Sequence, residues 1–293
     1  MTERTELLLR GQGLDPLEVN WIVENALRED LGAHHLDVTG QATIPAEQTG
    51  VADVVARQAG VLAGLAVAAK VFESAGPGAE VRFLAADGDT FERGDVLATV
   101  TGPVRTILAA ERTALNLLSR MSGVATQTRA WVRELTGTKA RVLDTRKTTP
   151  GLRVLDKYAV RAGGGTNKRM GLYDVAMIKD NHKLAAGSVT AAFQRVRAAF
   201  PEITVQVEVT TVDEAKEAVA AGARFLLCDN MSPELLREVV TAVGDQAELE
   251  ATGGLILERA AEVAATGVDY LSVGALTHSS PIVDIALDLR PRD

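Results

Sequence analysis

The candidate strands of the second half of the chain end in charged or polar residues or in glycine. These residues are Asp144, Lys179, Glu208, Asp229, Glu250 and Gly274. In α/β barrels the loops after the carboxyl ends of the strands form the active-site face. A buried strand has no structural reason to end repeatedly in lysine or a carboxylate. The pattern therefore predicts that these residues converge on one binding or catalytic mouth.

The segment from Lys139 to Lys183 is basic within an acidic chain. It contains eleven Lys and Arg but four Asp and Glu, a net charge of +7, whereas the whole chain carries −8 and the remainder therefore −15. Most of the surface would repel a polyanion, so the segment favours a small anionic ligand and no nucleic-acid partner. The cations predicted to face that ligand are Arg146, Lys147, Lys168, Arg169 and Lys179. Four-residue spacing predicts a solvated helix face for Arg153, Lys157 and Arg161.

Three glycine-containing turns are candidates for close approach of a ligand. Gly163–Gly165 follows a predicted helix, and three glycines exceed what a helix cap requires. Thr252–Gly254 and Val273–Ala275 each follow a predicted strand and precede a helix, a layout in which backbone N–H groups bind phosphate. His278 lies just beyond Val273–Ala275 and is a further candidate contact.

The elements that must position these residues change in character along the chain. Asp15 is a predicted N-cap of a helix whose apolar stripe includes Leu17 and Trp21. Three short β-branched runs predict a small antiparallel sandwich or open sheet, at 51–56, 81–84 and 96–101. A long helical region then follows, and Ser122-Gly123 predicts a break in it.

Strands alternate with helices in the second half, which predicts a parallel sheet. The candidate strands are 141–144, 176–179, 205–209, 225–229, 248–251 and 270–274. Six strands without a GxGxxG motif favour a barrel over a dinucleotide-binding fold. We therefore predict an α/β protein with two domains. An N-terminal helix and open β-sandwich-like domain occupies 1–120, and an incomplete TIM-like α/β barrel occupies 121–293, its C-terminal tail packing on the N-terminal domain.

Composition excludes several classes of protein. Cys228 is the one cysteine, so the chain forms no intrachain disulfide and has no cysteine-rich zinc motif. The charged first ten residues are unlike a signal peptide, and the longest apolar stretch, about 61–72, is too short to span a bilayer. The sequence predicts a cytoplasmic protein without a membrane partner.

The run Asp144-Thr-Arg-Lys-Thr-Thr-Pro-Gly-Leu-Arg153 resembles a motif of the quinolinate phosphoribosyltransferases. Further matches occur in the same order along nearly the whole chain, at 111–116, 122–126, 157–160, 163–165, 178–182, 208–209, 229–231 and 253–254. The resemblance implies transfer of phosphoribosyl from 5-phosphoribosyl 1-diphosphate to quinolinate with decarboxylation, in NAD biosynthesis. It also implies a homodimer or larger homo-oligomer whose active sites lie at the subunit interface.

The resemblance implies a role for each matching residue. Quinolinate binding is expected of Arg112 from the neighbouring subunit, and of Thr145, Arg146, Lys168, Arg169 and Lys179. The expected catalytic residues are Lys147, Glu208 and Asp229, of which Lys147 binds the sugar diphosphate and the two carboxylates face the ribose and Mg²⁺. Phosphate binding is expected of Thr252, Gly253, Gly254, Val273, Gly274, Ala275 and His278. No organic cofactor is expected.

Lys168 departs from the family pattern, which usually has histidine before this arginine. Two other functions stay open. One is a related phosphoribosyltransferase that acts on another acid, against which the full arginine set speaks. The other is a ligand sensor without catalysis, which would not need Lys147, Glu208 and Asp229 together.

Overall fold

A computed structural model of the chain describes residues 2–290. The strands are β1 (Thr49–Ala56), β2 (Gly60–Val61), β3 (Glu80–Phe83), β4 (Thr90–Phe91), β5 (Val96–Pro103), β6 (Arg141–Leu143), β7 (Val175–Ile178), β8 (Thr204–Val209), β9 (Phe225–Asp229), β10 (Glu248–Thr252), β11 (Tyr270–Ser272) and β12 (Ile285–Leu289). The helices are α1 (Glu3–Gly11), α2 (Pro16–Leu31), α3 (Val38–Thr43), α4 (Leu65–Ala75), α5 (Val104–Glu134), α6 (Arg153–Ala162), α7 (Asp180–Ala186), α8 (Val189–Ala199), α9 (Val212–Ala220), α10 (Pro233–Val243), α11 (Ala260–Ala264) and α12 (Ala275–His278). Within residues 2–290, no helix combines the length and the apolar character that crossing a membrane requires.

Contacts between Cα atoms divide the chain into two compact units. The first unit comprises Met1–Arg129, Thr148–Gly164 and Thr277–Asp293, and the second comprises Ala130–Lys147 and Gly165–Leu276. Each unit is therefore built from separate stretches of sequence. The predicted boundary at residue 120 lies within helix α5.

The first unit contains a four-stranded antiparallel sheet in the order β12-β1-β5-β3. The three runs predicted from the sequence are confirmed as β1, β3 and β5. Strand β1 is central, since Ala52 lies opposite Val100 of β5 on one side and Leu289 of β12 on the other. The residues 285–289 thus complete a sheet that begins at residue 49.

Helix α2 begins as predicted, because the side chain of Asp15 accepts a hydrogen bond from the backbone N–H of Leu17. The predicted apolar stripe was wrong in part. Leu17 and Trp21 are 77% and 62% exposed, whereas Val19 and Ile22 are buried. Positions 19, 22, 23 and 27 lie on one side of a 3.6-residue helix, and Leu17 with Trp21 lies on another.

Helix α5 is continuous from Val104 to Glu134, so the break predicted at Ser122-Gly123 was wrong. Gly123 is required by packing and not by a turn. A Cβ atom at this position would lie 2.1 Å from the carbonyl oxygen of Pro281. A mid-helix glycine destabilises a helix only modestly, so the close approach can be accommodated without a break.

The second unit contains a six-stranded sheet in the order β6-β11-β10-β9-β8-β7, and every neighbouring pair is parallel. All six strands predicted in this half of the chain are confirmed, and their ends agree with the prediction to within two residues. Strands β6 and β7 lie at the two edges although they follow each other in sequence. The arrangement is that of an incomplete α/β barrel, as predicted.

Candidate functional site

The register of the parallel sheet places the strand-end residues on one face. Glu208 of β8 and Glu250 of β10 both lie level with Leu227 of β9. Residues two apart on a strand share a face, so Asp229 and Thr252 project from the same side. The register thus places Glu208, Asp229, Glu250 and Thr252 on one face of the sheet.

Asp144 connects the loop after β6 to the segment that carries two of the cations. It is fully buried, and its carboxylate accepts hydrogen bonds from Asn167 Nδ2 at 2.6 Å and from the backbone N–H of Lys168 at 2.8 Å. Thr166 pairs with Leu143, so the segment runs alongside β6. Asp144 thereby fixes the backbone from which the side chains of Lys168 and Arg169 extend.

Lys168 and Glu250 form a buried ion pair. Their side chains are 8% and 0% exposed, and Lys168 Nζ lies 2.5 Å from Glu250 Oε1. Burial lowers the pKa of Lys168, the carboxylate of Glu250 raises it again in part, and the positive charges of Lys179 and Arg169 lower it further. Lys168 therefore lies close to two other predicted ligand-binding cations.

Lys179 and Glu208 form a second ion pair, which is open to solvent. Lys179 Nζ lies 2.7 Å from Glu208 Oε2, and the lysine side chain is 50% exposed while that of Glu208 is 8% exposed. Lys179 follows β7 directly, and its backbone N–H donates to Nδ1 of His182. A small anion could reach Lys179 from solvent.

Arg146 and Arg169 complete the cationic group. Arg169 donates to the backbone carbonyl of Val175 at 2.9 Å, which leaves other guanidinium donors available. Burial lowers the pKa of Arg169, and the positive charge of Arg146 lowers it further. Nε of Arg146 is buried and has no hydrogen-bond partner among residues 2–290. Two arginines that repel each other favour an anion between them.

Three other predicted site residues bond to residues that are near them in sequence. Thr145 Oγ1 accepts a hydrogen bond from the backbone N–H of Lys147, whose side chain is exposed. In the first unit, Arg112 is 67% exposed and pairs with Glu111 at 2.8 Å. His278, also in the first unit, is exposed and lies 2.6 Å from the hydroxyl of Ser279.

The loop after β10 contains two glycines with positive φ, the conformation expected where a ligand approaches the backbone closely. Gly253 and Gly254 have φ of +88° and +58°, and Asn230 after β9 has φ of +52°. A Cβ atom on Gly253 would lie 2.4 Å from Asn230 Oδ1, so the two strand-end loops touch. The second loop also follows the predicted layout, since Val273-Gly274 lies between β11 and the four-residue helix α12.

One glycine of the basic segment has a structural explanation, and the prediction that Lys157 lies on a solvated face was wrong. Gly163 packs against α5, where a Cβ would lie 2.5 Å from the carbonyl oxygen of Ala125, so helix packing in the first unit explains this glycine without a ligand. Lys157 is fully buried and lies within a run of buried residues in α6, not on a solvated face. Four-residue spacing identifies a common helix side but not whether that side meets solvent.

Three further observations concern other kinds of site. Burial raises the pKa of the Cys228 thiol to about 12, which keeps it protonated, as expected of a core residue.

Among the residues that the structure describes, no group of three or more His, Cys, Asp and Glu could hold a metal ion. A cavity of about 950 Å³ opens at the amino ends of β8 to β10, and none of the predicted site residues lines it.

Glu250 was predicted to lie at the strand-end face, but no role in binding or catalysis was predicted for it. Strand β10 contains two glutamates, Glu248 and Glu250, on the same face of the sheet. Glu250 is buried, whereas Glu248 is exposed. A fully buried carboxylate needs a cationic partner. Burial is not visible in the sequence, so the charged residue near the end of a predicted strand was the signal that pointed to it.

Two family models match the chain. The N-terminal domain of quinolinate phosphoribosyl transferase matches residues 37–122, and its C-terminal domain matches residues 124–288. The nicotinate-nucleotide pyrophosphorylase (carboxylating) of Mycobacterium leprae is 48% identical over 91% of this chain and 95% of its own length. A probable enzyme of the same name from Bacillus subtilis is 41% identical over 94% of this chain and 95% of its own length.

Solved structures are similar over nearly the whole chain. NadC from Streptococcus pyogenes has a TM-score of 0.91 at 38% identity and covers 96% of this chain and 99% of its own. The nicotinate-nucleotide pyrophosphorylase from Francisella tularensis has a TM-score of 0.89 at 34% identity, covering 93% and 96%. The similarity therefore includes both units.

Proposed function

Because the chain belongs to the quinolinate phosphoribosyltransferase family, we propose that it transfers phosphoribosyl from 5-phosphoribosyl 1-diphosphate to quinolinate. The products are nicotinate mononucleotide, diphosphate and CO₂. The reaction serves NAD biosynthesis from quinolinate.

One observation supports this function most strongly, the cationic group formed by Arg146, Lys168, Arg169 and Lys179. The pKa of Arg169 is lowered by burial and by Arg146, and that of Lys168 by burial and by Lys179 and Arg169. Positive charges held this close favour a ligand with more than one negative charge. Quinolinate carries two adjacent carboxylates on a planar ring, which suits bidentate arginine.

Arg146, Arg169 and Lys179 bind the two carboxylates of quinolinate, with Lys168 and Thr145 beside them. Lys179 is 50% exposed and can exchange Glu208 for the ligand. Such an exchange frees the carboxylate of Glu208.

Glu208, Asp229 and Lys147 act on the sugar diphosphate. The two carboxylates face the developing positive charge at the ribose C1, and the lysine binds the phosphate side. Phosphate oxygens are bound by the loops Thr252–Gly254 and Val273–Ala275 and by His278.

Magnesium fits this donor set only together with the substrate. Glu208 and Asp229 offer the carboxylate oxygens that the ion prefers, but no third carboxylate joins them among residues 2–290. Mg²⁺ in such sites is held by one or two carboxylates and by substrate phosphates. When bound, it would neutralise charge on the leaving diphosphate.

The electrons balance without an organic cofactor. The C1–O bond breaks and its electron pair leaves with diphosphate, while the lone pair of the pyridine nitrogen forms the C1–N bond. The resulting pyridinium accepts the electron pair of the bond to the 2-carboxylate, which leaves as CO₂, and a solvent proton replaces it. The cationic group holds the ring in position for attack, and this positioning lowers the barrier.

Arg112 reaches the site of a second copy in the proposed homodimer. Its side chain is 67% exposed and is held by the neighbouring Glu111. Mixing Arg112→Ala with a Lys147→Ala variant should restore part of the activity, because mixed dimers then contain one complete site. Mixtures that stay as inactive as the separate variants would contradict a shared site.

Incubation with quinolinate, 5-phosphoribosyl 1-diphosphate and MgCl₂ tests the function, with nicotinate in a parallel reaction. We expect nicotinate mononucleotide from quinolinate and none from nicotinate. Turnover of nicotinate alone would indicate a transferase for another acid. Binding of quinolinate without turnover would indicate a sensor, and either result would overturn the proposal. The predicted cytoplasmic location is tested separately by cell fractionation.

A further inference from the structure

The Lys168–Glu250 pair is buried, although burial of an ion pair gives the fold little stability. Both side chains are removed from solvent, with exposed fractions of 8% and 0%. Exchanging a buried ion pair for apolar residues of similar volume is often neutral or stabilising. Glu250 Oε2 is also buried and has no hydrogen-bond partner among the described residues, which destabilises the fold further. An ion pair with these properties is explained better by a role in binding.

The surroundings of the pair indicate what that role is. Lys168 lies near the cations Lys179 and Arg169, both of which oppose its positive charge. Glu250 is the carboxylate bonded to its ammonium group, whereas Asp144 bonds its backbone N–H. Glu250 shares the sheet face of Glu208, the carboxylate that pairs with Lys179.

We infer that Glu250 is a positioning residue that holds the Lys168 ammonium group among the other cations, where it binds a carboxylate of the aromatic dicarboxylate. The inference rests on the proposed function. Lysine has three N–H donors, so Nζ can bond Glu250 and a ligand at the same time. Glu250 also cancels the charge of Lys168, which leaves Arg146, Arg169 and Lys179 to balance the dianion.

A structural role and a positioning role predict different results for the double variant Lys168→Met with Glu250→Leu. The apolar pair should fold, since such replacements keep the core packed. If the pair were only structural, the double variant would bind quinolinate like the wild type. If the ammonium group binds the ligand, affinity for quinolinate should fall roughly tenfold to a hundredfold, the value of one charge-assisted contact.

Titration calorimetry with quinolinate, and separately with 5-phosphoribosyl 1-diphosphate, measures this difference. We expect the double variant to lose quinolinate affinity while its affinity for the sugar diphosphate changes less than about threefold, because the pair makes no direct contact with that ligand. Lys139→Met, which breaks the exposed pair with Asp269, is the matched control and should bind both ligands normally.

The single variant Glu250→Gln provides a second measurement. Lys168 then faces Lys179 and Arg169 without its counter-ion, and its pKa should fall further. Quinolinate binding should therefore weaken as the pH rises from 7 to 9 more steeply in this variant than in the wild type. The charged groups around Lys168 that set this slope are Arg169, Lys179 and, at its backbone N–H, Asp144.

Wild-type quinolinate affinity in the double variant, or equal losses for both ligands, would overturn the inference. An unchanged pH slope in Glu250→Gln would do the same. Each outcome is separate from failure of the proposed function, which would be seen first as a wild-type protein that makes no nicotinate mononucleotide.

Discussion

Two lysine–glutamate pairs on the same sheet differ mainly in their access to water. Lys168–Glu250 is closed, with 8% and 0% of the side chains exposed, whereas Lys179 in the second pair is 50% exposed. A buried pair cannot lose one partner without leaving an uncompensated charge, but a solvated pair can exchange partners readily. The same two residue types thus give a fixed donor in one place and an exchangeable one in the other.

Lys168→Met should reveal the largest difference between the pairs. It leaves the carboxylate of Glu250 buried and unpaired, so the free energy of unfolding should fall by about 3–5 kcal/mol. Lys179→Met, the matched variant of the second pair, should lower it by about 1–3 kcal/mol, because Glu208 is itself only 8% exposed but the half-exposed end of the pair admits water. Urea denaturation measures both. Equal losses would mean that the pairs do not differ in the way their burial indicates.

Arg146→Ala extends the comparison to a cation with a buried, unbonded Nε. We expect a loss of about 1.5–3 kcal/mol in the binding free energy of quinolinate, the value of a charge-assisted hydrogen bond. The sugar diphosphate should lose much less. Calorimetry with each ligand decides, and equal losses for the two would contradict the assignment of Arg146 to the dicarboxylate.

Glu208→Gln should sharpen the description of the exposed pair. The carboxylate of Glu208 then no longer competes with the ligand for Lys179, so quinolinate should bind more tightly, by up to about 1 kcal/mol. Binding is the appropriate measurement, because Glu208 is itself proposed to act at the ribose. Weaker binding in this variant would show that Glu208 helps to place Lys179 and does not compete with the ligand.

The smallest expected effect concerns Lys183, whose pKa is shifted in the opposite direction to that of Lys168. Burial lowers its pKa, but ion pairs with Asp180 and Glu214 outweigh burial and raise it above the ordinary lysine value. Its contribution to stability is therefore complete below about pH 10 and is lost as the pH rises through the folded-state pKa. The folded-state pKa of Lys168 is lowered, so its contribution increases with pH over the range just below 10.

Denaturation of the wild type and of Lys183→Met between pH 9 and 11 tests this difference. The wild type should lose more stability over the range than the variant, by less than about 1 kcal/mol because the ion pairs are partly solvated. Identical pH profiles would show that the ion pairs of Lys183 do not contribute.

The fold of the second unit could be predicted because its signals are local. Each of the six parallel strands is a short apolar run, and each was found within one or two residues of its predicted ends. The same holds for the N-cap Asp15, whose hydrogen bond spans two residues. Short-range patterns are sufficient where the residues that determine a structure are neighbours in sequence.

The Lys168–Glu250 pair could not be predicted in this way. Its partners are 82 residues apart, and their meeting depends on where along β10 burial begins. Alternation alone makes Glu248 and Glu250 equivalent, yet the first is exposed and the second has no exposure. The Gly123 prediction was wrong for the same reason, since the carbonyl of Pro281 that requires a glycine lies far along the chain.

The pairing of β12 with β1 has a consequence for synthesis on the ribosome. Strand β1 is made early, but the strand that covers one of its edges consists of residues 285–289. Until those residues emerge, the backbone N–H and C=O groups along that edge have no partner strand, and such an edge can pair with another chain. From the synthesis of β5 to that of β12, the N-terminal sheet of the nascent protein therefore has an open edge at which it can aggregate.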